Sequence, residues 1–301
     1  MDDDLFHAIG LNCPGEPQVN GETTGSPDAM GVRDRFGDTN TWDPTEGDKY
    51  AVLGSGFIAD LDNAGNEIPN NPYECNDDLG GEWNMPPNQL PEPIDVTQVD
   101  PTGADDCADD PSLIGTGDCS NTLQEQWEAG RLASDYTEMR FTATVPSTVI
   151  SVAYDFAFFS TEYPYYWGSA YNDMYIGWME SRNWTGNISF DKDGNPISVN
   201  AGFLDYRDVP NPNGGTWGYE VDDECNVPGG CVAEELHGTC MQYRAGTAWL
   251  TTTMGVEEGE EITMVFAVFD LADPILDSYV FIDNFRWGCE PQSTPNTDPV
   301  G

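Results

Sequence analysis

The segment "EEITMVFAVFDLADPILDSYVFIDNFRWG", residues 260–288, decides the fold class. It holds two runs rich in Val, Ile, Phe and Tyr, separated by a Pro-containing turn. β-Branched and aromatic residues suit a pleated, half-buried surface. In "TMVFAVF" (263–269) both faces are apolar, and "VAYDFAF" (152–158) repeats the pattern. Such strands belong in the interior, packed between layers. Working outward, the runs at 136–145, 148–160, 172–180, 185–191, 196–204 and 248–256 read the same way. Turn signals separate them, Asp193-Gly194 and Gly259 among them. Many short strands without helical spacers predict an all-β chain, an antiparallel β-sandwich of jelly-roll type.

Residues 1–134 read differently. The stretch 60–96 is full of Gly, Pro, Asn and Asp, which break regular elements. The cysteines of the region, at 75, 107 and 119, predict a pinned segment rather than a disordered one. One strand-like run, "KYAVLGSGFIADL", covers 49–61, and "SNTLQEQWEAGRLA" (120–133) predicts a helix capped by Ser120. The expected organisation is a turn-rich region (1–134) packed on or extending the sandwich, the sandwich itself (135–289) and an extended tail (290–301).

Charge narrows the partners. The 301 residues include 54 acidic and 10 basic ones, for a formal net charge of -44. Such a chain repels nucleic acid and anionic lipid. The excess acid is either a solvated, self-repelling surface or a set of carboxylates that hold divalent cations. There is no apolar run long enough for a membrane helix, which excludes direct helical insertion. The opening "MDDDLFHAIG" lacks the basic start and apolar middle of an export signal, so export implies one removed or outside this sequence.

The eight cysteines contain no Cys-x-x-Cys pair, and His7 and His237 do not sit at zinc-finger spacing. Disulfides in an oxidising, extracytoplasmic compartment are the better reading. The short loops Cys107–Cys119 and Cys225–Cys231 are the expected local bridges.

Calcium takes six to eight oxygens from carboxylates, amides and carbonyls. Glu162 and Asn172-Asp173 flank one loop, and Asp270, Asp273, Asp277 and Asp283 follow in the opening segment. Asp283 alternates with Tyr279, Phe281 and Phe285, so burial there requires a cation, an arginine (Arg286 or Arg140) or backbone donors. Calcium is favoured for Asp173 and Asp283, and solvated surface acids for Asp270 and Asp273. Two weaker strings, "DLDNAGNE" (60–67) and "DKDGN" (191–195), lack the oxygen or glycine placement of a calcium loop.

The loop "TEYPYYWGSAY" (161–171) gathers Tyr163, Tyr165, Tyr166, Trp167 and Tyr171. These rings cap the core, form a protein interface or stack on sugars. Enzyme signatures are thin. There is no Gly-x-Ser-x-Gly elbow and no His-Glu-x-x-His, and His237 lies in a cysteine-bounded loop, read as surface.

The stretches "DFAFFSTEYPYYWGSAYNDMYIGW", "GNISFDKDGNPISVNAGF" and 248–287 together resemble the choice-of-anchor L domain of secreted and surface proteins, many from myxobacteria. The similarity spans about residues 135–288. It implies an exported, non-catalytic domain. The residues that match by position are Glu162, Asn172, Asp173, Asp277 and Asp283. The segment 211–231 is extra relative to that pattern, and no anchor signal is visible near Gly301. The whole reading is an extracellular or cell-surface structural or adhesive protein, stabilised by Ca2+, with itself or a surface glycan as partner. The alternative is a carbohydrate-binding module that uses residues 163–171.

Overall fold

The computed structural model describes residues 2–13, 18–63, 75–76, 78–210, 225 and 227–300. Two antiparallel sheets pack face to face. In the first the order is β1 (Asn20–Thr24), β4 (Ala133–Thr144), β14 (Glu261–Leu271), β6 (Met174–Glu180) and β7 (Thr185–Asn187), with β8 (Ile197–Ser198) also on β6. In the second it is β16 (Asn296–Pro299), β13 (Leu250–Gly255), β5 (Ser151–Ser160), β15 (Ser278–Gly288), β3 (Tyr50–Gly54) and β2 (Met30–Arg33). A short β12 (Ala245–Gly246) joins β5 to β9 (Tyr206–Arg207), and β10 (Val209–Pro210) pairs with β11 (Gly230–Cys231). The long strands β4, β5, β6, β13, β14 and β15 alternate between sheets as the chain proceeds, as in a jelly roll.

Six of the eight expected strands form at length, and their double apolar faces explain the layering; 185–191 is a strand only over Thr185–Asn187 and 196–204 only over Ile197–Ser198. Between the sheets, Phe141, Tyr154, Phe156, Phe266, Val280 and Ile282 build the central core. On the outer face of the first sheet, Val265, Ala267, Phe269 and Trp178 are covered by Ile94, Leu123 and Trp127. On the outer face of the second, Ala157, Phe159, Tyr279 and Phe281 are covered by Phe36, Trp42, Leu236 and Trp249. The coil-rich segments are therefore lids on the sandwich.

Three further expectations need correction. The run 49–61 is a strand only over Tyr50–Gly54; a 3-10 turn (Ile58–Asp62) follows. The helix expected over 120–133 is shorter, running from Gln124 to Gly130. Ser120 does not cap it; the Ser120 hydroxyl donates to Asp118, which also accepts from the backbone of Thr122 and Leu123. Finally, the extended tail contributes a strand to the second sheet. Residues 296–299 form β16 against β13, with Thr297 buried and bonded to Thr252. The N-terminal region adds β1 to one sheet and β2 and β3 to the other. It extends the sandwich as well as covering it.

The bridges Cys107–Cys119 and Cys225–Cys231 form as spaced in sequence. A third, Cys75–Cys240, joins residues 165 apart and ties the coil after β3 to the lid over the second sheet. Cys13 and Cys289 lie outside these three. Most of the extra segment 211–231, and 64–67 of the weak calcium string, fall outside the described residues.

Loop closure makes a test. Replacing Cys75 and Cys240 together by Ala should lower stability by about 5 kcal/mol, against about 2 kcal/mol for the Cys225–Cys231 pair. Denaturant melts of the two double variants read the difference, and equal losses would contradict the lid's role.

Candidate functional site

The acids of the opening segment separate into two environments. A bulge in β4, at Asp135–Tyr136, shifts its register against β14 between Val268 and Asp270, while β14 itself keeps its alternation. Val268 faces the central core and Phe269 the outer lid, so Asp270 points inward at the end of the sandwich. Asp173, just before β6, accepts from the Leu271 backbone at 3.1 Å and from the Ser278 hydroxyl at 2.6 Å. Asp277 lies against Gly56, where a Cβ would come within 1.8 Å of its Oδ2, and it accepts from the Tyr279 hydroxyl at 3.1 Å. Glu162 follows β5 and is held by its backbone to Ser160 Oγ.

Asp173, Asp270 and Asp277 are wholly buried, and Glu162 nearly so. Neither oxygen of Asp270 has a hydrogen-bond partner, nor does Oε2 of Glu162. Ser55 Oγ approaches Asp270 but is engaged with the Ser278 backbone. The Asp173 carboxyl faces Asp270, but the two make no formed hydrogen bond. Burial first, then Asp173 and Asp277, pushes Asp270 well above the usual carboxylate range. Burial, Asp173 and Asp273 do the same for Glu162. Arg244 opposes this only weakly, since its guanidinium sits over the Tyr165 ring at 5.4 Å and donates to the Tyr243 carbonyl. Desolvating uncompensated carboxylates costs several kcal/mol each. As the side chains stand, no three Asp, Glu, His or Cys groups among the described residues are in coordinating geometry.

The other expected ligands stand apart. Asn172 is turned away, donating to Gln126 Oε1 and accepting from the Asn200 backbone. Asp283 sits six residues past Asp277, about 20 Å along β15. Its Oδ2 accepts from the backbone of Thr45 and Glu46 and from the Thr45 hydroxyl, and its Oδ1 from the Asn284 backbone. Of the three ways to bury it, the chain uses backbone donors. Burial still raises Asp283 to about 6, and these donors oppose the rise. Arg286 pairs with Asp155, and Arg140 with Glu138. The expected alternation also fails after Asp283. Asn284 takes a positive φ of 51° at a register shift, which turns Phe285 into the central core, away from Phe281.

The aromatic loop divides as well. Tyr163 is buried against Val199, Leu204 and Cys225. Tyr165 is half-buried beneath Arg244, and Tyr166 meets Tyr171 edge-on at 5.2 Å. Only Trp167, 42% exposed, and Tyr171, 37% exposed, face outward. Away from this end, His237 Nε2 lies 3.0 Å from Asp208 Oδ2 on the surface of the 231–244 lid.

Asp270, expected as a solvated surface acid, is instead buried, because strict alternation with Val268 and Phe269 turns it inward. The available signal was Asp270 directly after six apolar residues (264–269) in a strand apolar on both faces. No family model matches the chain, and no curated protein or solved structure is similar to it.

Asp135 gives a pH test. It is buried, its Oδ1 has no partner, and burial followed by Asp78 raises it to about 7. The folded-state value exceeds the unfolded one of about 4. The fold therefore prefers the protonated form; that contribution is complete below pH ~4 and lost as pH rises through ~7. Asp135→Asn should remove a decline on the order of 2–4 kcal/mol between those limits. Melts of both proteins across that range check it; parallel curves would refute it.

Proposed function

We propose that the chain is an exported, non-catalytic structural or adhesive protein. Its sandwich, stabilised by Ca2+, serves as a subunit of a surface layer or extracellular fibre. The observation that carries this reading is the set of three disulfides, which marks an oxidising environment and staples coil to the sheets. No helix among the described residues is long and apolar enough to cross a membrane. The high negative charge and the two lysines, Lys49 and Lys192, suit a salty, solvated exterior. The resemblance to choice-of-anchor L domains supports the same compartment. Edge strands β1, β2 and β16 offer backbone for strand addition by a neighbour, and outward Trp167 and Tyr171 offer a contact patch.

The exposure of those two rings also favours a second reading, a carbohydrate-binding module. Electron microscopy of native material tests the first: filaments or sheets are expected, and monodisperse single copies at high concentration would overturn it. Trp167→Ala separates the two. It should leave melting unchanged within about 0.5 kcal/mol. Under the first reading it weakens assembly; under the second it abolishes binding on a glycan array.

A further inference from the structure

We propose that Asp173, Asp270, Asp277 and Glu162 together bind one Ca2+ ion where β14 turns into β15. The proposal deepens the calcium-stabilised reading above and rests on it for the ion's presence in the medium. The cluster alone would not justify a site. What points to a ligand is Asp270, wholly buried, aimed at Asp173 and Asp277, and with both oxygens lacking a donor. The buried Oε2 of Glu162 is a second such atom in the same cluster.

Chemistry selects the ion. The groups available are carboxylates and the Ser55 hydroxyl, all hard oxygen donors. Cys75, which lies beside this end, is held in a disulfide. An all-oxygen set without imidazole or thiolate suits a hard cation rather than zinc or copper. The number of anionic groups and their origin on separate segments suit the flexible, six-to-eight-fold shell of calcium better than strict octahedral magnesium.

Closure requires the carboxylates to reorient. The terminal torsion of an Asp carboxylate is broad, so Asp270 and Asp277 can swing toward a cation without moving the backbone. As they stand these groups are not in coordinating geometry, and four ionised carboxylates come together only around a counter-charge. Asp173 stays pinned by Leu271 and Ser278 as the fixed point of the site. Since Glu162 and Asp173 bracket residues 163–172, the ion would also clamp both ends of the aromatic loop.

The test uses the full chain, freed of metal with EDTA and then titrated with Ca2+. Equilibrium dialysis counts tightly bound ions, and calorimetry follows melting. At a hundredfold excess over Kd the melting temperature should rise by about 4 °C. Asp270→Asn should bind one ion fewer and lose that rise, yet melt in EDTA no lower than wild type, because it removes a buried charge. Asp283→Asn should keep the rise. If Asp270→Asn does not fold, Glu162→Gln carries the same expectation. Identical wild-type melting in EDTA and in excess Ca2+, or a full rise in both site variants, would overturn the proposal. Filaments seen by microscopy in that event would leave the scaffold reading standing; loss of filaments with intact Ca2+ binding would do the reverse.

Discussion

The structure depends on covering both faces of both sheets. β5 is buried along its whole length, and β14 along nearly all of it. Apolar burial contributes roughly 25 cal/mol per Å2, so leaving either outer face wet would forfeit a large part of the folding free energy. The central core satisfies only the inner faces. The turn-rich segments supply the rest, contributing Trp42, Phe36, Trp127 and Leu123 as lids. Coil of this kind has little hydrogen-bonded regularity of its own. Cross-links such as Cys75–Cys240 offset the entropy of holding it down.

Buried acids meet a second constraint, and most meet it locally. Asp118 collects hydroxyl and backbone donors from 120–123 and Asn187. Asp191 does the same within its own hairpin and from Gly202. Glu138 has Tyr136, Thr24 and Arg140, and Asp155 has Thr251, Asn284 and Arg286. These carboxylates act as pins that fasten coil to strand. Against that background the group around Asp270 is the exception, since four acids share one end with few donors and one distracted arginine. Asp135 keeps one orphaned oxygen elsewhere, but only around Asp270 do several such oxygens gather at one place.

That end is also where chain segments meet. The connector 271–277, the Ser55–Gly56 turn, the disulfide at Cys75 and the start of the aromatic loop all converge there through Thr161, Asp277 and Ser278. Loop position and core integrity are thus coupled. Tyr163 is the inner root of the loop and Trp167 its outer tip, so one short stretch serves packing and contact together.

Much of this was legible in the sequence. Runs such as 148–160 and 260–271 fixed strand identity, and their double apolar faces required layers on either side, because side-chain period is a local property. Closely spaced Cys107–Cys119 and Cys225–Cys231 were legible for the same reason. Glu162, Asp173 and Asp277 could be named as acids near apolar strands, but not placed. Alternation with Val268 turned Asp270 inward, but which acids it meets there was set by other strands. The bulge at Asn284 depends on what the neighbouring strand does, and it turned Phe285 away from Phe281. Asp283 left the cluster because Thr45 and Glu46, more than two hundred residues earlier, deliver their N–H groups to it. Local pattern determines which element a residue joins; only the packed chain decides which distant donors, acids or cysteines arrive beside it.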